Sequence, residues 1–299
     1  MPDGASRPVR VIALMNQKGG VGKTTTTVNL AAAIARRGRE TLLVDLDPQA
    51  HATLHVGVDP DALEHSAYDV FGASDVAPRD CVRRVGDHLS LLPATTNLAG
   101  VEAELAGAPD RQRRLERALD ALGRAYEFVL IDCPPSLGLL TVNALAAARE
   151  VIIPMQAHFL ALQGVGKLLE TVAIVSRGVN PRLRVTGVVL CMHDPASTHT
   201  REVVADLEGF FEQARGAESP WRFARVLRPP VRRNIKLAEC PSFGKTIFDY
   251  APDAPGAADY GALGDALLRE WDAMLARRTP DEAPVVSVPA AAAVREGRA

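Results

Sequence analysis

Lys18-Gly19-Gly20-Val21-Gly22-Lys23-Thr24-Thr25 is the stretch that decides the fold. It follows an apolar run, Val9 to Met15, and opens a segment of helical period, Val21 to Arg37, that stops at Gly38. A glycine-rich turn between a buried strand and a helix lets backbone N–H groups converge on phosphate oxygens with no Cβ in the way. The helix N-terminus adds partial positive charge. Lys23 is then suited to pair with β- and γ-phosphates, and the Thr24 hydroxyl to ligate Mg²⁺. The pattern G-x-x-x-x-G-K-[ST] is met only in part, because its first glycine falls on Gln17. A second lysine, Lys18, opens the loop instead. The plain alternative is a glycine-rich turn with chance lysines.

Outward from this loop, apolar runs of strand length alternate with longer helical segments. The runs are Thr41 to Asp45, Glu127 to Asp132, Val151 to Pro154, Arg184 to Cys191 and Phe223 to Leu227. The helical stretches are Arg111 to Arg124, Leu162 to Arg177, Arg201 to Gln213 and Tyr260 to Arg277. Continuously apolar strands separated by helices predict an α/β fold, doubly wound, with a mostly parallel sheet covered by helices on both faces. Residues 1–8 read as a short extension and 9–278 as a single domain. Residues 279–299 hold three prolines, six alanines and no aromatic residue. Such a segment buries too little to offset its ordering entropy, so it reads as a disordered tail.

With 34 Lys plus Arg against 36 Asp plus Glu, the net charge of -2 excludes a histone-like polycation and little else. The four cysteines, Cys81, Cys133, Cys191 and Cys240, form no CxxC pair, which argues against a disulfide framework and for a reducing compartment. No signal-like run precedes the first strand and no stretch is long and apolar enough to span a bilayer, so a cytoplasmic protein is expected. Asp45, Asp47 and Asp132 close predicted strands, where an open α/β sheet puts its ligand crevice. Asp45 and Asp47 lie two apart and would face the same way on a strand.

These motifs, with Leu43-Val-Asp-Leu-Asp-Pro-Gln49, Leu98 to Leu105, Ile131-Asp-Cys-Pro-Pro-Ser136 and Arg233 to Lys245, resemble the deviant Walker A ATPases. Within them the likeness is to the ParA/Soj partitioning proteins, over most of residues 9 to 275. The resemblance implies an Mg²⁺-dependent ATPase that binds nucleotide through Lys18, Gly19, Gly20, Val21, Gly22, Lys23, Thr24 and Thr25, with adenine near Asn234. It gives Asp132 the metal, with Asp45 in the metal's outer shell, a helix-cap role being the alternative for Asp45. Asp47 would position the attacking water, and Lys18 would reach a partner subunit's ATP. That makes Lys18, Lys23 and Asp47 the catalytic set and ATP the switch for a homodimer.

Six basic residues and no acidic one lie between Arg222 and Lys236. Charge alone leaves them a solvated face; the resemblance implies non-specific DNA binding, with Arg201, Arg232, Arg233 and Lys236 as contacts. The chain departs from the family where Asp194-Pro-Ala-Ser-Thr-His-Thr-Arg201 lacks an expected arginine and where Arg232 replaces a usual proline beside the adenine pocket. His158 and His51 likewise replace glutamate and asparagine. His51 and His55 are four apart, but no third zinc ligand is suggested nearby.

The expected function is chromosome or plasmid segregation by a nucleoid-associated ATPase with a ParB-like activator and no membrane contact. Eight residues before the first strand leave no room for an N-terminal helix-turn-helix domain. The alternatives are ATPases that position another cargo, ParA-like or MinD-like, the latter needing an amphipathic membrane helix. An electron-transfer ATPase would need cluster-ligating cysteines.

Overall fold

The structure, a computed structural model, describes residues 8–72 and 76–277. The tail expected at 279–299 and nearly all of the expected extension at 1–8 lie outside these residues. The chain runs β1 (Arg10–Leu14), α1 (Lys23–Ala35), β2 (Thr41–Asp45), α2 (His51–His55), α3 (Ala67–Phe71), β3 (Arg83–Gly86), β4 (Leu89–Leu92), α4 (Val101–Glu104) and α5 (Arg114–Leu122). It continues through β5 (Phe128–Asp132), α6 (Leu139–Ala147), β6 (Glu150–Met155), α7 (Phe159–Gly178), β7 (Arg184–Leu190), α8 (Thr198–Ala214), β8 (Arg225–Leu227), α9 (Lys236–Glu239), α10 (Ile247–Tyr250) and α11 (Pro255–Arg277).

One eight-stranded sheet has the order β3-β4-β2-β5-β1-β6-β7-β8, parallel throughout except for the antiparallel pair β3–β4. The doubly wound expectation holds, with an antiparallel edge added. The edge hairpin escapes a reading by apolar runs because β3 is mostly exposed and begins with two arginines, charges that keep an edge from pairing with another chain. Helix α6 escapes it for the opposite reason. Its residues are apolar on nearly every side, with Leu139, Leu140, Ala144, Leu145 and Ala146 all buried, so no helical stripe stands out.

Two apolar layers enclose the sheet. On one face α1 and α11 cover Ile12, Leu14, Leu43, Phe128 and Leu130, while the other face packs on α5, α6 and α7. Helix α11 approaches α1 closely because Gly264 faces it: a Cβ there would lie 2.9 Å from the Cβ of Ala33. This contact matters for the site, since α11 carries Asp259 and Tyr260 up to the crevice. Strand pairing fixes the acids in the same way. β5 aligns Asp132 with Leu14 of β1 on one side and with Asp45 of β2 on the other.

Candidate nucleotide site

β1 ends and α1 begins around a loop whose turn depends on glycine. Gly22 caps α1 with φ +88°, a left-handed conformation that favours glycine, and no side chain caps the helix. The first N–H groups of α1 are therefore left for a ligand, and the loop opens on a cleft of about 760 Å³. Asn16 fixes the loop's entry. Its Nδ2 donates to Pro154 O at 2.7 Å and its Oδ1 accepts the Lys18 N–H at 3.0 Å.

At this end of the cleft the charged groups converge. The Lys23 Nζ lies 3.7 Å from Asp132 Oδ1 and 4.0 Å from Asp47 Oδ2, and all three residues are buried. The Thr24 hydroxyl donates to Asp132 Oδ2 at 2.7 Å and the Thr27 hydroxyl to Oδ1 at 3.0 Å. Burial pushes the Asp132 carboxyl up, opposed by the Lys23 cation and the two threonine hydroxyls. Asp47 is held by its Oδ1, which accepts the Gln49 N–H at 3.0 Å. Lys18 lies at the cleft wall, its Cε 3.6 Å from where a Cβ on Gly164 of α7 would be.

Asp45, expected in the metal's outer shell or as a helix cap, is held by the loop that follows it and by α2. Its Oδ1 accepts the Asp47 N–H at 3.1 Å, and its Oδ2 accepts both the N–H and the hydroxyl of Thr53 at 2.8 Å. Both oxygens are thus committed to the loop and to α2, an arrangement of capping type. Burial, then repulsion by Asp132, pushes its carboxyl up to about 7. The two acids two residues apart do not share a strand face, because β2 ends at Asp45.

The other end of the cleft is apolar. Leu54, Val231, Leu237, Ala238 and Pro241 line it, with Asn234 and Arg232 as polar groups among them. The Asn234 Oδ1 accepts the Lys236 N–H at 2.9 Å, while its Nδ2 is buried and has no hydrogen-bond partner among the described residues. Sequence reasoning missed Asp259, Tyr260 and Met192 here, because nothing in their local pattern marks them. Tyr260 reaches beneath the phosphate loop, with its hydroxyl 2.9 Å from Thr26 Oγ1.

The basic run is not the open cationic face its sequence suggests. Arg225 pairs with Glu270, Arg228 with Glu208 at 2.7 Å, and Lys236 with Glu239 at 2.8 Å. Arg222 lies over the Phe223 ring, and exposed Arg233 makes no ion pair among the described residues. Arg232, expected as a DNA contact, lines the cleft and is paired with the buried Asp259, with Nη2 to Oδ1 at 2.7 Å. Its sequence neighbours are cationic, but its carboxylate partner comes from α11. Arg201 stands exposed on α8, its guanidinium on Thr198 Oγ1.

The histidine pair separates. His51 is exposed at the cleft, whereas His55 is buried with Nε2 3.5 Å from Cys240 Sγ. Among the described residues no cluster of three or more His, Cys, Asp or Glu could hold a metal. All four cysteines are buried, and burial pushes the Cys133 thiol up. No described helix is long and apolar enough to cross a membrane.

A family model described as an AAA domain matches residues 9–185. The chain is 41% identical over 261 residues to the chromosome partitioning protein ParA of Myxococcus xanthus, covering 87% of this chain and 88% of that one. It is 44% identical over 260 residues to the chromosome-partitioning ATPase Soj of Thermus thermophilus, covering 87% and 96%. A solved Mycobacterium smegmatis structure, described as cobyrinic acid a,c-diamide synthase with bound ATP analog and magnesium, superposes with a TM-score of 0.75. The two are 40% identical, and the match covers 89% of this chain and 97% of that one. The septum site-determining protein MinD of Pyrococcus horikoshii, solved with Mg-ADP, shares the fold at 24% identity and a TM-score of 0.66, over 87% and 96% of the two chains.

Proposed function

The chain belongs to the ParA/Soj family of partitioning ATPases, and on that premise we propose that it is an ATP-switched dimer that binds DNA without sequence preference. Its task is chromosome or plasmid segregation, with a ParB-like partner that stimulates hydrolysis, in the cytoplasm on the nucleoid. The ATPase unit is residues 9–278. The observation that carries the reading is the position of Lys23, buried at the uncapped start of α1 between Asp47 and Asp132.

The polar end of the cleft fits a triphosphate with Mg²⁺. Its ligand oxygens are hard, a threonine hydroxyl and a carboxylate 2.7 Å apart, and the described residues alone offer too few of them for a metal cage. Mg²⁺ suits such sites because it takes one or two protein ligands and completes its shell with phosphate oxygens and water. Thr24 and Asp132 would hold it. Bound there, it supplies charge neutralisation on the phosphates.

The chain's own residues do the rest. The N–H groups of residues 19 to 25 receive phosphate oxygens, and Lys23 offsets charge gathering on the β- and γ-phosphates. Asp47, fixed by the Gln49 N–H, orients a water toward the γ-phosphate. Such a carboxylate need not be a strong base, since phosphoryl transfer depends mostly on positioning and charge stabilisation. Asp45 holds Asp47 in place from behind. Lys18 reaches across the dimer to the partner's nucleotide, so the dimer loosens when the γ-phosphate leaves. Arg201, Arg233 and Lys236 supply the DNA contacts. The Lys236 ion pair is solvent-exposed, and exposed pairs are weak enough to exchange for a phosphate.

DNA co-sedimentation with ATP, ADP or no nucleotide across a salt series tests this. Asp47→Ala is expected to remain on DNA with ATP, whereas Lys23→Ala and Lys18→Ala fail to dimerise and sediment alone. Equal DNA binding in all nucleotide states would sink the switch.

A further inference from the structure

We infer that Arg232 is a specificity-determining residue of the nucleotide site, a clamped guanidinium that recognises the base-bearing end of a purine nucleotide. The inference rests on the proposed nucleotide reading and assigns that site a group beyond the phosphate loop.

Polarity sets which end of the cleft takes which end of the ligand. The phosphates belong with Lys23 and the α1 N-terminus, so an apolar ring belongs between Leu54, Val231, Leu237 and Pro241. In an apolar pocket the few polar groups present decide orientation and selectivity. Among the polar lining groups at this end, Asn234 and Arg232 are held in fixed positions. Asn234 has spent its acceptor on the Lys236 N–H and keeps a buried amide N–H₂ without a partner. A buried donor left without an acceptor is destabilising, and a ligand acceptor would remove that cost.

Arg232 is held at several points. Its Nε donates to both oxygens of Asp259, at 3.1 and 3.0 Å, and its Nη2 to Oδ1 at 2.7 Å and to Pro255 O at 3.4 Å. Its backbone N–H donates to the same carboxylate at 3.0 Å. The Asp259 side chain is 7% exposed, while that of Arg232 is 49% exposed. The guanidinium is therefore anchored on one edge and open on the rest, with Nη1 free of hydrogen bonds among the described residues. A planar fork fixed this way loses little entropy on binding, and it offers a flat face and donors only. With Asn234 Nδ2, which no acceptor satisfies, it supplies donors at the apolar end of the cleft, which the acceptor nitrogens of a nucleobase such as a purine would take.

The test compares full-length wild type with Arg232→Lys and with the double variant Arg232→Met plus Asp259→Asn, which leaves no buried carboxylate unpaired. ATP turnover gives KM and kcat, inorganic tripolyphosphate serves as a competitor lacking the base, and thermal melting reports folding. Both variants are expected to raise KM for ATP about tenfold, a loss of about 1.4 kcal/mol, with kcat within about twofold of wild type. Inhibition by tripolyphosphate should stay unchanged. A purely structural role would weaken ATP and tripolyphosphate together, and that result, or an unaltered KM in a folded variant, overturns the inference. Wild type that turns over no ATP would instead refute the nucleotide reading on which it rests.

Discussion

The two ends of the nucleotide cleft are built by opposite strategies. The phosphate loop is one continuous segment, from Asn16 to Thr27, placed by the strand and the helix that flank it and completed by Asp47 after β2 and Asp132 of β5. The apolar end is gathered from distant pieces: Leu54 from α2, Val231 to Pro241 from the crossing after β8, and Asp259 from α11. A contiguous loop can be read directly, because secondary structure sets its geometry. An assembled wall becomes visible only when tertiary packing decides which neighbour each side chain faces. Arg232 shows the difference: its sequence context is cationic, and its actual partner is an acid 27 residues away.

The comparison predicts that damage at the two ends separates. The largest effect should come from Lys23→Ala. Removing a preorganised cation aimed at developing charge slows turnover on the order of 10²- to 10³-fold. Phosphate release measures it, and a loss below about tenfold would show that the polar end is not where the chemistry is.

Acid should lower stability through the wall at the apolar end. His55 backs that wall from α2 against Cys240, and burial lowers it to about 4 from its ordinary 6.5. The folded state thus refuses a proton that the unfolded chain accepts. Stability is lost as pH falls from about 6.5 toward about 4, by up to about 3 kcal/mol. Denaturant melts of wild type and His55→Gln check this, and the variant should lose the slope. Parallel slopes would show that His55 does not titrate as its burial requires.

The smallest effect should be Gly22→Ala. The left-handed backbone at φ +88° and a new Cβ 3.3 Å from the Cβ and Sγ of Cys191 cost on the order of 1–3 kcal/mol. A lowered melting temperature with a raised KM for ATP is expected. An unchanged melt would mean that the loop relaxes into another turn.

Much of the fold was legible because parallel strands are buried on both faces and read as apolar runs. Thr41–Asp45 is matched residue for residue, and β1, β5, β6, β7 and β8 differ from the expected runs only at their ends. The edge hairpin was hidden by the arginines that protect it, and α6 by having no polar face. At the site, Lys23, Thr24, Asp47 and Asp132 converge as the strand ends suggest. Capping was legible as an alternative for Asp45, but its partner was not, and neither was the partner of Arg232. Each depends on a hydrogen-bond partner, Thr53 or Asp259, that sequence spacing does not announce. The same holds for the basic run, where opposing acids come from α8, α9 and α11.

The most direct test of the central claim, that the cleft binds ATP along its whole length but hydrolyses it at the polar end, is Asp47→Ala assayed for both properties in one preparation. Equilibrium binding of ATP should stay within about threefold of wild type, while single-turnover phosphate release falls by at least about 10²-fold. Hydrolysis at the wild-type rate would contradict the account, and so would binding and hydrolysis lost together.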